Sequence, residues 1–535
     1  MSLPSVSYGS GIGKWQQTQF RGYNHNLAAM DGEIYDMTNM SSNLAPLLST
    51  RPPRYITRTL TKPNGLYAND GLYWVDGTGF YADGTLRGTV TDSRKQFTGI
   101  GAYIIIMPDM AYYNKLTQEF GSLNASWSGA ATIQNGTYAG EAAEANTIYA
   151  AGADWGSKFR EGDAVTIAGA TVHPENNVTI VIREIEGDYL RFYENSFVIG
   201  EGGDSESALT ISRDMPELDF ICENENRLWG CKGDTIYGSK LGDPFNWNVF
   251  DGLSTDSYAV SVGSAGDFTA CCSYLGYVVF FKEDQIYKVY GDRPSNFQVM
   301  GSASLGVEAG SHASLAIAGE VLFYLSRTGI MAYSGGIPQS IADAFGTVRY
   351  KNAVGGSDGR KYYVSMLDPD GEWSLFVYDT RLGMWHREDD TEAVGFAWNG
   401  DLYCLDTDGT LWLNGLARNV PEDAQSEGAV ESMVEFGEFV EADPNKKGVT
   451  KLQVRMSVDA GATVSFYIQY DSTGEWEQVA EPFTANVLRS YYIPLIPTRA
   501  DHFKLRINAT GGWRLYSLVI ESYSGSELKS QPGRQ

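Results

Sequence analysis

The sequence predicts an all-β protein built around a β-propeller of about six blades, and three observations support this. Short runs rich in Val, Ile, Tyr, Phe and Trp recur along the chain, bounded by Gly and Asp, as in β-hairpins. Most successive hairpins lie about 40–50 residues apart, the period of a four-stranded propeller blade. The 60 Gly and 33 Tyr also suit an all-β fold with many turns and half-buried aromatic strands. A plain β-sandwich with repeated hairpins is the alternative.

Six stretches carry the repeated hairpin pattern of two apolar runs joined by a turn with Asp or Gly. They lie at residues 71–84, 227–237, 276–290, 321–333, 361–378 and 402–412. Because one blade cannot bury both of its faces alone, we expect the blades to pack around a central axis. We expect residues 64–117 to supply the first blade.

The 535 residues are too many for one ordinary domain, and the pattern divides them into seven segments. These are an N-terminal arm and propeller-sealing segment (1–63), the first part of the propeller (64–121), an inserted small β-barrel-like domain (122–213), the remainder of the propeller (214–416), a polar linker (417–431), a C-terminal antiparallel β-sandwich of jelly-roll type (432–523) and a tail (524–535). Residues 125–153 are too rich in Ala, Gly and Thr to predict a good core. Clean alternation of apolar and polar residues predicts the C-terminal strands.

Charge and cysteine usage narrow the class of protein. The net charge of −26 argues against a surface that grips phosphates, although DNA could slide past an acidic lumen. Five cysteines without metal-ligand spacing predict buried free thiols in a protein assembled in a reducing cytoplasm. No signal peptide is evident, and no apolar run approaches the roughly 20 residues that span a bilayer.

Two stretches of the sequence resemble motifs of a known protein family. Residues 20–24 read Phe-Arg-Gly-Tyr-Asn, followed by Gly32–Glu33, Asn39-Met-Ser41 and the Pro- and Arg-rich run at 46–54. Residues 236–248 contain Gly-Asp-Pro-Phe-Asn-Trp. The order resembles tail nozzle proteins of short-tailed bacteriophages, which include the packaged-DNA stabilisation and tail tubular protein B types. Tyr23 departs from the pattern, which has a second Gly there.

The resemblance implies a structural virion protein. It implies a homo-oligomeric ring, six copies by the family's pattern, below the portal and head–tail adaptor. Such a ring extends the DNA channel without sequence-specific binding, closes it until the genome is ejected, and contacts tail fibre or needle proteins. The protein is then assembled in the host bacterial cytoplasm and resides in the virion.

Spaced apolar and basic residues in the N-terminal segment form a candidate subunit or adaptor interface. These are Phe20, Arg21, Tyr23, Arg51 and Arg54. In an acidic protein, the arginines could pair with carboxylates across an interface. The alternative is that the segment wraps its own propeller and seals the first blade. A short helix is plausible only at residues 33–40.

The sequence contains no set of residues that predicts catalysis, a cofactor or a metal. The five His are scattered, and no nucleophile elbow or phosphate loop is evident. The carboxylates at 389–392 and 406–408 are typical of solvated hairpin turns, with a calcium loop at Asp406 and Asp408 as the alternative. The Asp-Pro-Phe-Asn-Trp run at 243–247 predicts an Asn-closed turn whose aromatics pack on a neighbouring blade, with a ligand loop as the alternative.

Two other functions compete with the tail nozzle. One is a receptor- or carbohydrate-binding tail protein whose C-terminal sandwich is the lectin. The other is a β-propeller glycoside hydrolase, which rests on fold analogy alone.

Overall fold

The structure is a computed structural model that describes residues 12–26, 32–138, 142–193, 195–439 and 446–524. The described residues are almost entirely β-strands joined by turns, and the all-β prediction is confirmed.

The strands follow in chain order. The first group is β1 (Ile12–Gln17), β2 (Gly22–Tyr23), β3 (Glu33–Thr38), β4 (Met40–Ser41), β5 (Leu48–Thr50), β6 (Tyr55–Thr59), β7 (Pro63–Ala68), β8 (Leu72–Asp76), β9 (Gly79–Ala82), β10 (Thr85–Thr89), β11 (Gln96–Ile100), β12 (Tyr103–Met107), β13 (Ala111–Asn114) and β14 (Phe120–Ser122). The second is β15 (Ala125–Gly136), β16 (Glu144–Tyr149), β17 (Ala164–Ala168), β18 (Thr179–Glu186), β19 (Tyr189–Phe192), β20 (Asp204–Arg213), β21 (Phe220–Asn224), β22 (Arg227–Lys232), β23 (Thr235–Gly238), β24 (Tyr258–Ser261), β25 (Ala270–Tyr274), β26 (Tyr277–Phe281), β27 (Gln285–Tyr290) and β28 (Gln298–Ala303).

The remaining strands are β29 (Ala316–Ala318), β30 (Val321–Ser326), β31 (Gly329–Tyr333), β32 (Gln339–Ser340), β33 (Lys351–Ser357), β34 (Lys361–Leu367), β35 (Trp373–Asp379), β36 (Met384–Arg387), β37 (Ala393–Trp398), β38 (Leu402–Asp406), β39 (Thr410–Leu413), β40 (Gln425–Ser426), β41 (Glu431–Phe436), β42 (Lys447–Val458), β43 (Thr463–Tyr470), β44 (Glu477–Gln478), β45 (Arg489–Pro494), β46 (Arg499–Ala500), β47 (Phe503–Thr510) and β48 (Trp513–Ser524). Short 3₁₀ helices lie at Trp155–Ser157, Pro174–Asn176, Pro294–Asn296, His312–Ser314 and Asp343–Phe345.

The predicted β-propeller arrangement is confirmed. Six blades are sheets of their own: β7–β10, β11–β14, β21–β24, β25–β28, β29–β32, and β37–β39 joined by β6 and β40. A further four-stranded meander, β33–β36, has the same form but continues into a ten-stranded sheet. Each predicted hairpin is the middle strand pair of one meander, because that pair carries the longest apolar runs.

The chain separates into two compact units. Unit 2 is Asn64–His312, and it holds four blades, whose neighbours share apolar cores. The β7–β10 and β11–β14 sheets bury Val75 and Phe80 against Ile104. Residues 64–117 therefore belong to two sheets and not to one first blade, since the period here is shorter than the expected 40–50 residues.

The insertion in unit 2 is a closed barrel with the strand order β15-β16-β19-β18-β17-β20. Its core packs Trp155 and Phe159 against small residues such as Ala131 and Ala150. The expectation that residues 125–153 lack a good core is wrong, because the small side chains leave room for these large aromatics. The five cysteines of the chain are free thiols, four of them buried.

Unit 1 is Met1–Pro63 with Ala313–Gln535, and it contains a β-sandwich in addition to its blades. One sandwich sheet has seven strands, with β4-β5-β48-β42-β45 in order and β1 and β46 attached. The other is the ten-stranded sheet β33-β34-β35-β36-β2-β3-β41-β47-β43-β44. Alternate residues of both sheets, including Leu452, Phe466 and Leu518, form one core between them.

The N-terminal segment is thus part of the sandwich, which extends beyond residues 432–523. Residues 33–38 form strand β3 and not a short helix, because they pair with β41 from the far end of the chain. β6 completes the β37–β39 sheet, so the segment seals that blade and not the first one. The predicted linker 417–431 contributes β40, which pairs with β6.

Among the described residues, no helix has both the length and the apolar character that a membrane span requires.

Replacing residues 122–213 by a short Gly–Ser bridge is expected to leave a cooperative thermal transition for the four blades of unit 2. The reason is that each blade completes its hydrogen-bond ladder within its own four strands. Differential scanning calorimetry measures this. Deleting residues 220–261, which form a blade, is the control and should abolish that transition. Loss of cooperativity on removing 122–213 would mean that the barrel is part of the blade core.

Candidate functional site

The structure places four of the five predicted interface residues inside unit 1. Phe20 and Tyr23 are 3% and 7% exposed and lie in the sandwich core. Arg51 and Arg54 are also buried, between β5 and β6, and pair with carboxylates of their own chain. Only Arg21 has an exposed side chain, so the interface role stays a prediction for that residue.

Gly22 explains why the motif at 20–24 needs a glycine. Its φ of +91° is a left-handed conformation that favours glycine. A Cβ at this position would also lie 2.4 Å from the backbone oxygen of Trp385. The next residue, Tyr23, pairs with Trp385 in the sheet and packs against Phe345 and Phe376. Tyr23, which stands where the nozzle-protein pattern has a second Gly, thus fills space in the core.

We call one charged group the ion cluster. It consists of two buried arginines and three partly buried carboxylates: Arg51, Arg54, Glu388, Asp389 and Glu427. Arg51 binds Glu427 through both Nη atoms, at 2.8 and 2.5 Å. The Arg54 Nη2 lies 2.9 Å from Glu388 Oε2 and 2.5 Å from Asp389 Oδ2. The Arg54 backbone N–H also donates to Glu427 at 2.7 Å. The cluster therefore joins the loop between β5 and β6 to two loops that lie more than 330 residues further along the chain.

In the ion cluster, the positive charges of the arginines offset the effect of burial on the carboxyl pKa values. Burial alone raises the pKa of Asp389, but Arg54, with the Thr391 hydroxyl and Arg51, outweighs burial and holds that pKa below its ordinary value. Glu427 likewise keeps a lowered pKa because its bonds to Arg51 outweigh burial. The lowered pKa values keep Asp389 and Glu427 ionised at neutral pH, as paired structural carboxylates should be. The prediction of a solvated turn at 389–392 is wrong for Asp389, although Asp390 is exposed.

The run at 243–247 anchors the barrel, and we call it the barrel anchor together with Asp163 and Arg213. Asn246 accepts a hydrogen bond from the Ala164 N–H at 2.8 Å and donates to Asp163 at 3.1 Å. Asp163 also binds the Arg213 guanidinium, and both side chains are buried. These contacts tie the barrel to the loop between β23 and β24.

The aromatics of this run pack as the sequence predicts. Phe245 lies edge-on to Tyr103 and Tyr112 of the neighbouring β11–β14 blade, with ring centroids 5.4 and 5.1 Å away. Asp243 accepts from the Phe245 N–H at 2.9 Å and from the Asn246 amide at 2.5 Å, so both side chains take part in closing the turn. The Asn246 amide is occupied by the barrel, which leaves it no role in a ligand loop.

Asp406 closes its own hairpin. One carboxylate oxygen accepts from the Thr410 N–H and the other from the Trp412 indole N–H, both at 2.7 Å. Burial raises the pKa of Asp406 despite these bonds. Because both oxygens are already bonded, the geometry favours the hairpin-turn interpretation over the calcium loop.

Asp471, Asp501 and His502 form the one group of His and carboxylate side chains in the described residues close enough to share a metal ion. Their ligand atoms lie within 4.8 Å of one another. His502 also contacts the Ser472 hydroxyl at 2.6 Å, and that hydroxyl donates to Glu438 at 2.9 Å as well. Sequence spacing misses this group because its members come from two turns that the sheet register brings together.

A concave groove of about 530 Å³ lies on the exposed face of the ten-stranded sheet. Strands β3, β41, β43 and β47 form its floor, and most of its side chains carry hydroxyls, with one amide from Asn508. The lining residues are Thr38, Glu431, Ser432, Met433, Thr463, Ser465, Tyr467, Arg506, Asn508, Ala509 and Thr510. The alternation of apolar and polar residues in β43 and β47 predicts that the polar side chains face outward. The strand pairing that brings these side chains together cannot be predicted from the sequence.

Comparisons with known proteins identify no family. No family model and no curated protein matches the chain. PorZ, a surface component of the type-IX secretion system of Porphyromonas gingivalis, is 12% identical over 88% of this chain and 77% of its own, with a TM-score of 0.27. Raptor of Chaetomium thermophilum is 12% identical over 70% of this chain and 29% of its own, with a TM-score of 0.31.

A third solved structure is the extracellular domain of a one-component system of B. thetaiotaomicron. It is 10% identical over 91% of this chain and 92% of its own, with a TM-score of 0.21. None of these three proteins is a phage tail nozzle.

Substituting Arg54→Met is expected to destabilise unit 1 by about 3 kcal/mol at pH 7, because it leaves the partly buried Glu388 and Asp389 with only the longer contacts to Arg51. Asp389 and Glu427 have lowered pKa values, so their stabilisation is present above roughly pH 4 and is lost as the pH falls through the folded-state pKa. In the variant, acid also protonates the carboxylates that have lost Arg54, and this removes their unfavourable negative charge. The difference between the two proteins should therefore shrink below pH 4.

Urea unfolding followed by tryptophan fluorescence between pH 7 and pH 3.5 measures this difference. Arg58→Met, at an exposed position on β6, is the matched control and should change little. A small and pH-independent effect of Arg54→Met would mean that the cluster behaves as a surface ion pair.

Truncating residues 1–24 is expected to lower the melting temperature of unit 1. The truncation removes β1, which pairs with β48 along six residues, and the buried Phe20 and Tyr23. Loss of a buried Phe alone costs about 3–5 kcal/mol. A truncation of residues 1–11, which leaves β1 whole, is the comparison. An unchanged melting temperature with lost assembly would favour the interface interpretation.

Proposed function

We propose that the chain is a structural protein of a short-tailed bacteriophage tail, a subunit of the nozzle ring below the portal and head–tail adaptor. The ring extends the DNA channel, closes it, and releases the genome at ejection. Six copies form the ring, and tail fibre or needle proteins bind to it. The protein is assembled in the host cytoplasm and resides in the virion.

One observation carries this proposal. The two stretches that resemble nozzle proteins are also the two that build the ion cluster and the barrel anchor. Motif residues that serve such ties support a shared architecture more strongly than motif residues on a variable surface, because buried charges accept few replacements. The resemblance therefore lies in the residues on which the fold depends.

The charge of the chain is consistent with a conduit. A net charge of −26 disfavours a tight grip on DNA phosphates and allows DNA to slide through an acidic channel. A channel lined by basic residues would instead retain the genome by direct contact.

A receptor- or carbohydrate-binding tail protein is the second candidate function. The polar groove on the ten-stranded sheet supports it, because a concave face with hydroxyls, an amide and an aromatic ring suits a small polar ligand. The two functions are compatible, since a nozzle subunit can also carry a binding face.

The purified chain is expected to form rings of six, alone or with the adaptor encoded in the same genome. Negative-stain imaging and mass photometry measure this. Arg21→Glu should weaken adaptor binding by reversing a surface charge, whereas Arg58→Glu, at another exposed position of unit 1, is the control and should not. A chain that stays monomeric with and without the adaptor would contradict the ring.

A further inference from the structure

The groove on the ten-stranded sheet presents side chains in straight rows across four strands. Thr38 lies opposite Met433, Met433 opposite Asn508, and Asn508 opposite Ser465. Residues directly opposite on antiparallel strands share a face, with Cβ atoms about 4.5–5.5 Å apart. The register therefore makes a ladder of three polar side chains and Met433 that runs perpendicular to the strands.

A ligand in this groove can bind only side chains along its floor. The backbone N–H and C=O groups of β3, β41, β43 and β47 are already used in the sheet. A peptide that adds to a sheet needs a free edge, and these strands offer a face. The hydroxyls of Ser465 and the threonines, with the Asn508 amide, both donate and accept, which matches a ligand rich in hydroxyl groups.

The charges in and beside the groove disfavour an anionic ligand. Glu431 and Arg506 lie in the lining, and Glu435 beside it pairs with both Arg506 and Lys504, so the positive and negative charges balance. Arg506 is itself neutralised by Glu435 at 2.6 Å. A polyphosphate or nucleic acid would need a surplus of positive charge that these residues do not provide.

One end of the groove is rigid and aromatic. The Arg506 guanidinium lies 4.1 Å from the ring centroid of Trp476, which fixes it between that ring and Glu435. Tyr467 pairs with Arg506 across the strands and adds an aromatic ring to the lining. Groups held in this way lose little freedom when a ligand binds.

The dimensions fit a short chain of sugar rings. Four strands leave three interstrand gaps of about 4.8 Å, so the ladder is about 14 Å long. We propose that the groove binds a neutral oligosaccharide that lies across β3, β41, β47 and β43. Ser465 and Asn508 donate and accept hydrogen bonds to its hydroxyls, and Tyr467 packs against an apolar ring face. This inference rests on the second candidate function and does not depend on the ring.

Saturation-transfer NMR on the full chain tests it with a panel of neutral trisaccharides: maltotriose, cellotriose, laminaritriose, mannotriose and chitotriose. We expect at least one to bind at millimolar concentration. Asn508→Ala should weaken that binding about tenfold, as the loss of one well-placed hydrogen bond does. Gln453→Ala, at an exposed polar position on the other sandwich sheet, is the matched control and should leave binding unchanged.

Three results would overturn the proposal. They are no binding of any trisaccharide by the unmodified chain, equal binding by the Asn508→Ala and unmodified chains, and binding of heparin in preference to every neutral sugar at the same site. The melting temperature of each variant shows that it is folded. Mass photometry of the same samples reports ring formation separately, so failure of sugar binding and failure of the ring are distinguishable.

Discussion

The ion cluster is the interaction on which the rest of unit 1 depends. Two buried arginines and three partly buried carboxylates lie together, and desolvated charges tolerate only an arrangement in which each is paired. That requirement fixes the loops after β5, β36 and β40 in one geometry. The strands that flank these loops belong to both sandwich sheets and to one blade. The cluster thus selects one arrangement of elements that apolar burial alone, which is not directional, would leave open.

The barrel anchor applies the same physics in unit 2. A buried Asp–Arg pair, with an Asn that both donates and accepts, ties an inserted module to a blade through three side chains. The Phe245 ring lies beneath the Arg160 and Arg213 guanidiniums, at 4.1 and 5.0 Å, and covers the polar contacts from one side. Each unit therefore has apolar cores between its sheets and a group of paired charges where a separate element joins them.

The sequence predicts local structure well and long-range pairing poorly. The hairpins and the barrel are visible because their strands and turns are contiguous in the chain. Residues 33–38 suggest a helix on local grounds, yet they pair with β41 almost 400 residues later, and tertiary context overrides propensity. Glu427 looks like part of a solvated linker for the same reason, since its partners Arg51 and Arg54 are over 370 residues away. The groove could not be predicted, because its rows depend on the pairing register between strands that are distant in the sequence.

The ion cluster and the groove are physically connected. Asn39 follows Thr38 of the groove, adopts a left-handed φ of +57° and accepts a hydrogen bond from Arg51 Nε at 2.7 Å. Its amide donates to the backbone oxygen of Glu431, a second groove residue, also at 2.7 Å. One side chain therefore sets the position of β3 against β41 and links both to the cluster. The N-terminal segment supplies Thr38 to the groove, so the proposed binding face and the ion cluster share the same strand β3 and its following residue.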